Sequence, residues 1–258
     1  MTPSRIHTID GVDTFRDFGG YDTVDGLKIA RGQLFRASSL GTATPAGQKS
    51  LKALGLKLVC DLRSPKERRD HPLIDGGFNI LASDLNQGSE KVINSYWKDG
   101  DLSVDGARAF MLSYYRAIPF ELAYMELSAR FFKALAVGDA PAVVMSSAGK
   151  HRAGFLCALT LVAAGVSREV AMNDYLLSSA MGDETSEKKQ EALARAAKKA
   201  GRTVGEEVLK VLTTVERTYL DTALDAIKAQ YGTVYGYLRD GLKIGAHETE
   251  ALRATILE

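Results

Sequence analysis

The segment Val143-Val144-Met145-Ser146-Ser147-Ala148-Gly149-Lys150-His151-Arg152-Ala153-Gly154 concentrates the residue types best suited to chemistry. It reads as a short β-branched run, then a loop carrying Gly, Lys and Arg, then a helix. Parts in that order build an anion cradle. Backbone N–H groups converge, the helix start adds partial positive charge, and an arginine closes the site with a two-pronged fork. Ser147, Ala148, Gly149, Lys150, His151 and Arg152 would form such a cradle, and a tetrahedral phosphate fits it. Five residues separate Ser146 from Arg152, so a hydroxyl opens the loop and a guanidinium closes it.

Strands and helices must hold this loop. Lys57–Leu62 and Ala142–Met145 are short apolar runs of the kind found in strands buried on both faces. Thr44-Pro45 predicts a helix start, with Thr as N-cap and Pro in the first turn, and Gly55 its end. Ala153–Ala164 reads as a buried helix closed by Gly165. Helical pattern then fills Ser167–Ser178, Glu184–Lys199, Val204–Gln230 and His247–Leu257. The charged run Glu187–Glu191 reads as a solvated helix face. Residues 85–108, with Gly88, Gly100, Gly106 and the single tryptophan Trp97, are the least regular stretch, and predict a lid or pocket loop.

The chain has 258 residues, 45% of them apolar, with 33 Lys+Arg against 32 Asp+Glu and a formal net charge of +1. Without repeats, linkers or composition shifts, the expectation is one α/β domain over residues 1–258. The balanced charge argues against nucleic acid or an anionic membrane as a partner, so an anion site must be local. The two cysteines, Cys60 and Cys157, lie in apolar stretches outside any metal-ligand spacing. No metal or other cofactor is therefore expected. The opening residues lack the apolar core of a signal peptide, and no apolar run is long enough to span a membrane, which predicts a cytoplasmic protein.

The loop resembles that of the bacterial tyrosine-phosphatase family, HCxAGKDRTG, a Cys-x5-Arg pattern with mycobacterial and listerial members acting on phosphotyrosine and phosphoinositides. The resemblance extends along nearly the whole chain. Thr14–Tyr21 (TFRDFGGY) is similar to the family's NFRDLGGY, Gly32–Ser38 to GxLFRSS, and Leu54–Glu67 to LGIxxVxDLRSxxE. Asn173–Leu176 is similar to ADYL, and Tyr231–Leu238 to YGSxxxYL. The resemblance implies an α/β phosphotyrosine-phosphatase-like fold, a central sheet flanked by helices with a helical C-terminal part. It also implies hydrolysis of phosphate monoesters on a phosphorylated protein or a phosphoinositide. Asp84 falls where the family places the general acid, although an ordinary capping Asp fits that position too. Lys150 would sit at the phosphate rim or pair with an acid such as Asp84. Arg36 and Arg63 match family arginines near the site. Arg16 either forms a turn-fixing pair with Asp17 or borders the pocket. Tyr114, Tyr115 and Arg116 fall on a helix expected to line it.

Four loop positions depart from the family: Met145 stands for His, Ser146 for Cys, His151 for Asp and Ala153 for Thr. A thiolate at position 146 could be brought to a pKa of roughly 3.5–7.5 by nearby cations and a helix start. A serine hydroxyl needs a base of its own. Three readings follow. In the first, the chain is a phosphate-monoester hydrolase, in this form or in a parent with Cys at position 146 that an exchange to Ser146 turns into a substrate trap. In the second, the chain is a phosphate-binding module without turnover. In the third, His151 serves as base for lyase or isomerase chemistry on an anionic small molecule, against the plainer expectation of a solvent-facing loop histidine.

Overall fold

The computed structural model describes residues 4–73, 75–85, 88–180 and 186–258. Five strands, β1 (Phe15–Asp17), β2 (Leu34–Ala37), β3 (Leu58–Asp61), β4 (Asn79–Leu81) and β5 (Ala142–Met145), form one sheet in the order β1-β2-β5-β3-β4. Only the β1–β2 pair is antiparallel. β5 is therefore central, with Met145 level with Ala37 of β2 on one side and Asp61 of β3 on the other. All three strands end at the same edge. This is a place where the chain leaves the carboxyl ends of neighbouring parallel strands, the usual ligand crevice of α/β sheets.

The alternation of side chains along β5 divides the core. Val143 and Met145 join Phe35, Val59 and Leu51 beneath α1 (Pro45–Ala53), while Ala142 and Val144 enter the larger cluster on the opposite face. That cluster is built on α5 (Leu122–Ala136) and α6 (His151–Ala163). α6 is buried almost all round, which accounts for its weakly amphipathic sequence. Thr44 caps α1 as expected, accepting from the Gly47 N–H at 3.3 Å.

Two expectations about elements are corrected. The stretch 85–108 is not an irregular loop. It contains all of α3 (Gly88–Asp99) and the start of α4 (Val104–Ala117), and its glycines lie at or near helix ends. Val204–Gln230 is not a single helix either, because α9 (Glu206–Thr213) stops before α10 (Arg217–Tyr231). Thr214 and Glu216 take extended backbone there, and the Val215 N–H turns to the Ser179 hydroxyl at 3.3 Å. The other helices of six residues or more are α2 (Pro65–Asp70), α7 (Arg168–Ala180), α8 (Ser186–Ala200) and a last one, Ala246–Ile256, packed on α5. The run expected to be a charged helix face falls mostly outside the described side chains. Among the described residues, no helix is long and apolar enough to cross a membrane.

Candidate functional site

Ser146 follows β5 directly and is 3% exposed. The chain then turns, Gly149 N–H donating to Ser146 O at 3.3 Å, and enters α6 at His151. Gly149 has φ +66°, and a Cβ there would meet Ala37 O at 2.6 Å, so the turn requires glycine. Arg36 fixes the loop from below. Its Nε donates to Gly149 O at 2.6 Å and its Nη2 to Lys150 O at 2.8 Å. Gly154 makes room for it, since a Cβ at that position would lie 2.6 Å from Arg36 Nη2. The N-cap residue of α6, Lys150, makes no side-chain cap, which leaves the helix start able to receive an anion.

Arg152 closes the loop. Its Nη1 donates to Leu62 O at 2.8 Å and to Glu67 Oε2 at 3.0 Å; its Nη2 reaches Glu67 Oε1 at 3.0 Å and the Ser147 hydroxyl at 3.4 Å. Glu67 is also the third residue of α2 and completes a capping box, accepting from Ser64 N–H at 2.7 Å. The Ser147 hydroxyl donates to it as well. One carboxylate thus aligns the arginine, the loop and the helix that follows β3. Burial pushes the Glu67 carboxyl up, but the Arg152 charge and the hydrogen bonds from Arg152, Ser147 and Ser64 outweigh it and bring it to about 2.

The sign of the resulting pH dependence follows. A carboxyl near 4.5 when unfolded and about 2 when folded stabilises the fold above about pH 4.5, and the gain is lost as pH falls from there towards 2. With the side chain 35% exposed, water screens the pair, and about 1–2 kcal/mol is the expected size. Thermal melts between pH 6 and 2.5 should show this acid loss in the wild type and a smaller one in Glu67→Gln.

Above the loop lies a cavity of about 190 Å³. Ser146, Ser147, Ala148, Lys150, His151 and Arg152 contribute to its floor, and α3, α4 and α9 supply apolar walls, chiefly Trp97, Phe110, Tyr114 and Leu212. Tyr96 stacks on Phe110 at 4.1 Å between ring centroids and stiffens this wall. Tyr114 lines the cavity as expected, while Tyr115 lies behind it.

Several other expectations change. His151 is not a solvent-facing loop histidine, because both ring nitrogens are hydrogen-bonded inside the protein. Its Nε2 faces Leu212 O at 3.1 Å, so that nitrogen carries the proton, and Nδ1 accepts from the Tyr115 hydroxyl at 2.8 Å. Tyr175 lies 2.6 Å behind Tyr115 and continues the chain. Burial, together with the Lys150, Arg152 and Arg36 charges, outweighs the Leu212 bond and lowers the imidazole to about 3, so it stays neutral.

Asp84 is not brought to the loop. Its side chain is 97% exposed, pairs with Arg68 and is absent from the cavity lining. Among the described residues lining that cavity there is no carboxylate at all. Lys150 borders the cavity without the expected Asp84 partner, which Arg68 has taken.

Arg16 pairs with Asp174 at 2.6 Å rather than with Asp17, which instead accepts from the N–H groups of Gly19 at 2.6 Å and Gly32 at 3.0 Å. Arg63 is buried against Asp61 at 2.8 Å, Ser39 and the His71 carbonyl. Arg16, Arg36, Arg63 and Tyr115 therefore support the site from behind rather than lining it.

Glu67, Phe110 and Leu212 are not marked as site residues by the sequence, and Trp97 only as part of the 85–108 stretch. The Ser64-Pro65-Lys66-Glu67 spacing does announce a capping box, the one signal that could have marked Glu67. Burial pushes both cysteine thiols up, Cys157 to about 12, and neither is placed for chemistry.

The comparisons agree with this architecture. The model of the tyrosine phosphatase family matches residues 7–258. A Cupriavidus necator protein provisionally named a tyrosine-protein phosphatase is 32% identical over 239 residues, covering 91% of this chain and 83% of its own. The triple specificity protein phosphatase PtpB of Mycobacterium tuberculosis is 28% identical over 265 residues, covering 91% and 93%. With the sheet, the loop after its central strand and the match over nearly the full length in agreement, the chain belongs to the tyrosine phosphatase family.

Proposed function

We propose that this protein recognises phosphate monoesters with an aromatic alcohol, the phosphoryl group seated in the Ser146–Arg152 loop and the ring between Trp97, Phe110 and Tyr114. The observation that carries the reading is the uncapped start of α6 beside the Arg152 fork, at the floor of a cavity whose walls are apolar and aromatic. A phosphotyrosine side chain supplies both halves of that complementarity. A phosphoserine reaches the loop but leaves the walls unfilled.

Turnover is the weaker half of the function in this sequence. In-line attack on phosphorus by a hydroxyl needs a base, and the imidazole that shares the cavity with Ser146 is neutral with its accepting nitrogen already engaged by Tyr115. The chain therefore holds phosphorylated ligands better than it cleaves them. Isothermal titration with a phosphotyrosine peptide should give saturable binding that inorganic phosphate displaces, and weaker binding for the matching phosphoserine peptide. A silent titration with both peptides overturns the reading.

A further inference from the structure

A second, much smaller void touches the same loop from the side of Arg36. It is lined by Thr14, Arg16, Arg36, Gly149, Lys150 and Ser178 and measures about 10 Å³, close to the space that one water-sized sphere needs. Among the described residues, two polar side-chain atoms lining it have no hydrogen-bond partner: Arg36 Nη1 and the Ser178 hydroxyl. These residues are only 2% and 5% exposed. Buried polar groups of this kind are ordinarily satisfied, so two orphans lining one void point to an occupant.

The charge around the void indicates what that occupant is. Arg16 and Arg36 are both buried here, and Asp174, the carboxylate that acts on Arg36 among the described residues, is committed to Arg16 and to the Tyr21 hydroxyl. Among the described residues, the hydrogen bonds of Arg36 go to the Gly149 and Lys150 carbonyls. Burial, and then the Arg16 charge, pull its guanidinium below the usual value, as befits a cation without a counter-charge. The lining is also rich in donors, with the Thr14 hydroxyl beside those of Arg36 and Ser178. A water molecule would satisfy these donors without neutralising the guanidinium.

We propose that this void is a binding site for one small monatomic anion, a halide such as chloride, held by Arg36 Nη1 and the Ser178 hydroxyl. It is separate from the phosphate seat above the loop and independent of whether that seat supports hydrolysis. Because the same guanidinium holds the carbonyls of Gly149 and Lys150, the ion completes the underside of the loop.

Crystals grown in sodium chloride and measured at a long wavelength should give a chlorine anomalous peak in contact with Arg36 and Ser178. A water without anomalous signal, or an empty void, overturns the proposal. In solution, replacing sodium gluconate by sodium chloride at constant ionic strength should raise Tm saturably. The rise should persist in Arg152→Ala, whose phosphate seat is disabled, and vanish in Ser178→Val, whose added bulk fills the void. Ser178→Ala removes the hydroxyl without bulk and provides the test where the valine variant does not fold. Its chloride midpoint should rise about fivefold, the worth of one hydrogen bond. A chloride response identical in wild type and the serine variants also overturns the proposal.

Discussion

Ser146→Cys should convert this protein into an active phosphatase, raising kcat on an aryl phosphate by at least about a thousandfold, a fraction of the roughly million-fold that loss of a nucleophile costs. The argument rests on what surrounds position 146. It lies at the end of the central strand, before the uncapped start of α6 and on the same cavity floor as Arg152 and Lys150. Each of these favours a thiolate over a thiol. The introduced thiol should therefore titrate below the ordinary cysteine value, and kcat/KM on p-nitrophenyl phosphate should rise through that lowered pKa as pH increases. Because no carboxylate lines the described cavity, the gain should be large for aryl esters, whose leaving groups need little protonation, and small for phosphoserine. Adding Asp84→Asn to this variant should change the aryl rate by less than about threefold, as expected of an exposed carboxylate paired elsewhere. Phosphate release no better than that of the wild type would refute the assignment of the loop.

The contrast between Ser146 and Asp84 shows which features the sequence carries. The phosphate loop is local: strand, turn and helix start are contiguous, and the spacing from Ser146 to Arg152 states the chemistry directly. The Thr44-Pro45 helix start and the two buried strand runs are local in the same way. Partnerships across the chain are different. Arg16 has Asp17 beside it in sequence, yet its partner is Asp174, because in a strand adjacent side chains point to opposite faces and Asp17 cannot reach the guanidinium. Asp84 follows β4, an edge strand whose following turn leads to Arg68 rather than to the loop. In α3, the glycines that suggested a loop are boundary residues, and its Trp97 closes a cavity whose other walls come from α4 and α9. His151 is kept neutral chiefly by burial, which no local spacing announces, with the Lys150, Arg152 and Arg36 charges acting in the same direction against the Leu212 bond. Walls assembled from three distant helices leave no spacing to read.

Arg152→Ala should weaken binding of a phosphotyrosine peptide by about 30-fold to several thousand-fold, the equivalent of roughly 2–5 kcal/mol for truncating one partner of a buried charged hydrogen-bond pair. Arg152→Lys should restore little, because a point charge cannot serve Glu67, the Leu62 carbonyl and a phosphate together as a planar fork does. The same truncation leaves the Glu67 carboxylate without its counter-charge while Ser64 N–H still holds it in place. Urea denaturation should therefore show a loss of about 1–3 kcal/mol, the cost of an orphaned buried polar group. Two consequences separate this account from a general disturbance of the fold. The acid loss of stability between about pH 4.5 and 2, which rests on Glu67, should shrink markedly in Arg152→Ala, because the carboxyl moves back up once only the Ser147 and Ser64 hydrogen bonds oppose burial. Adding Glu67→Gln to Arg152→Ala should recover much of the lost stability at neutral pH, since no uncompensated charge remains, yet recover none of the phosphopeptide affinity. If stability and affinity return together in the double variant, Arg152 acts only by bracing α2 against the loop and does not contact the phosphoryl group.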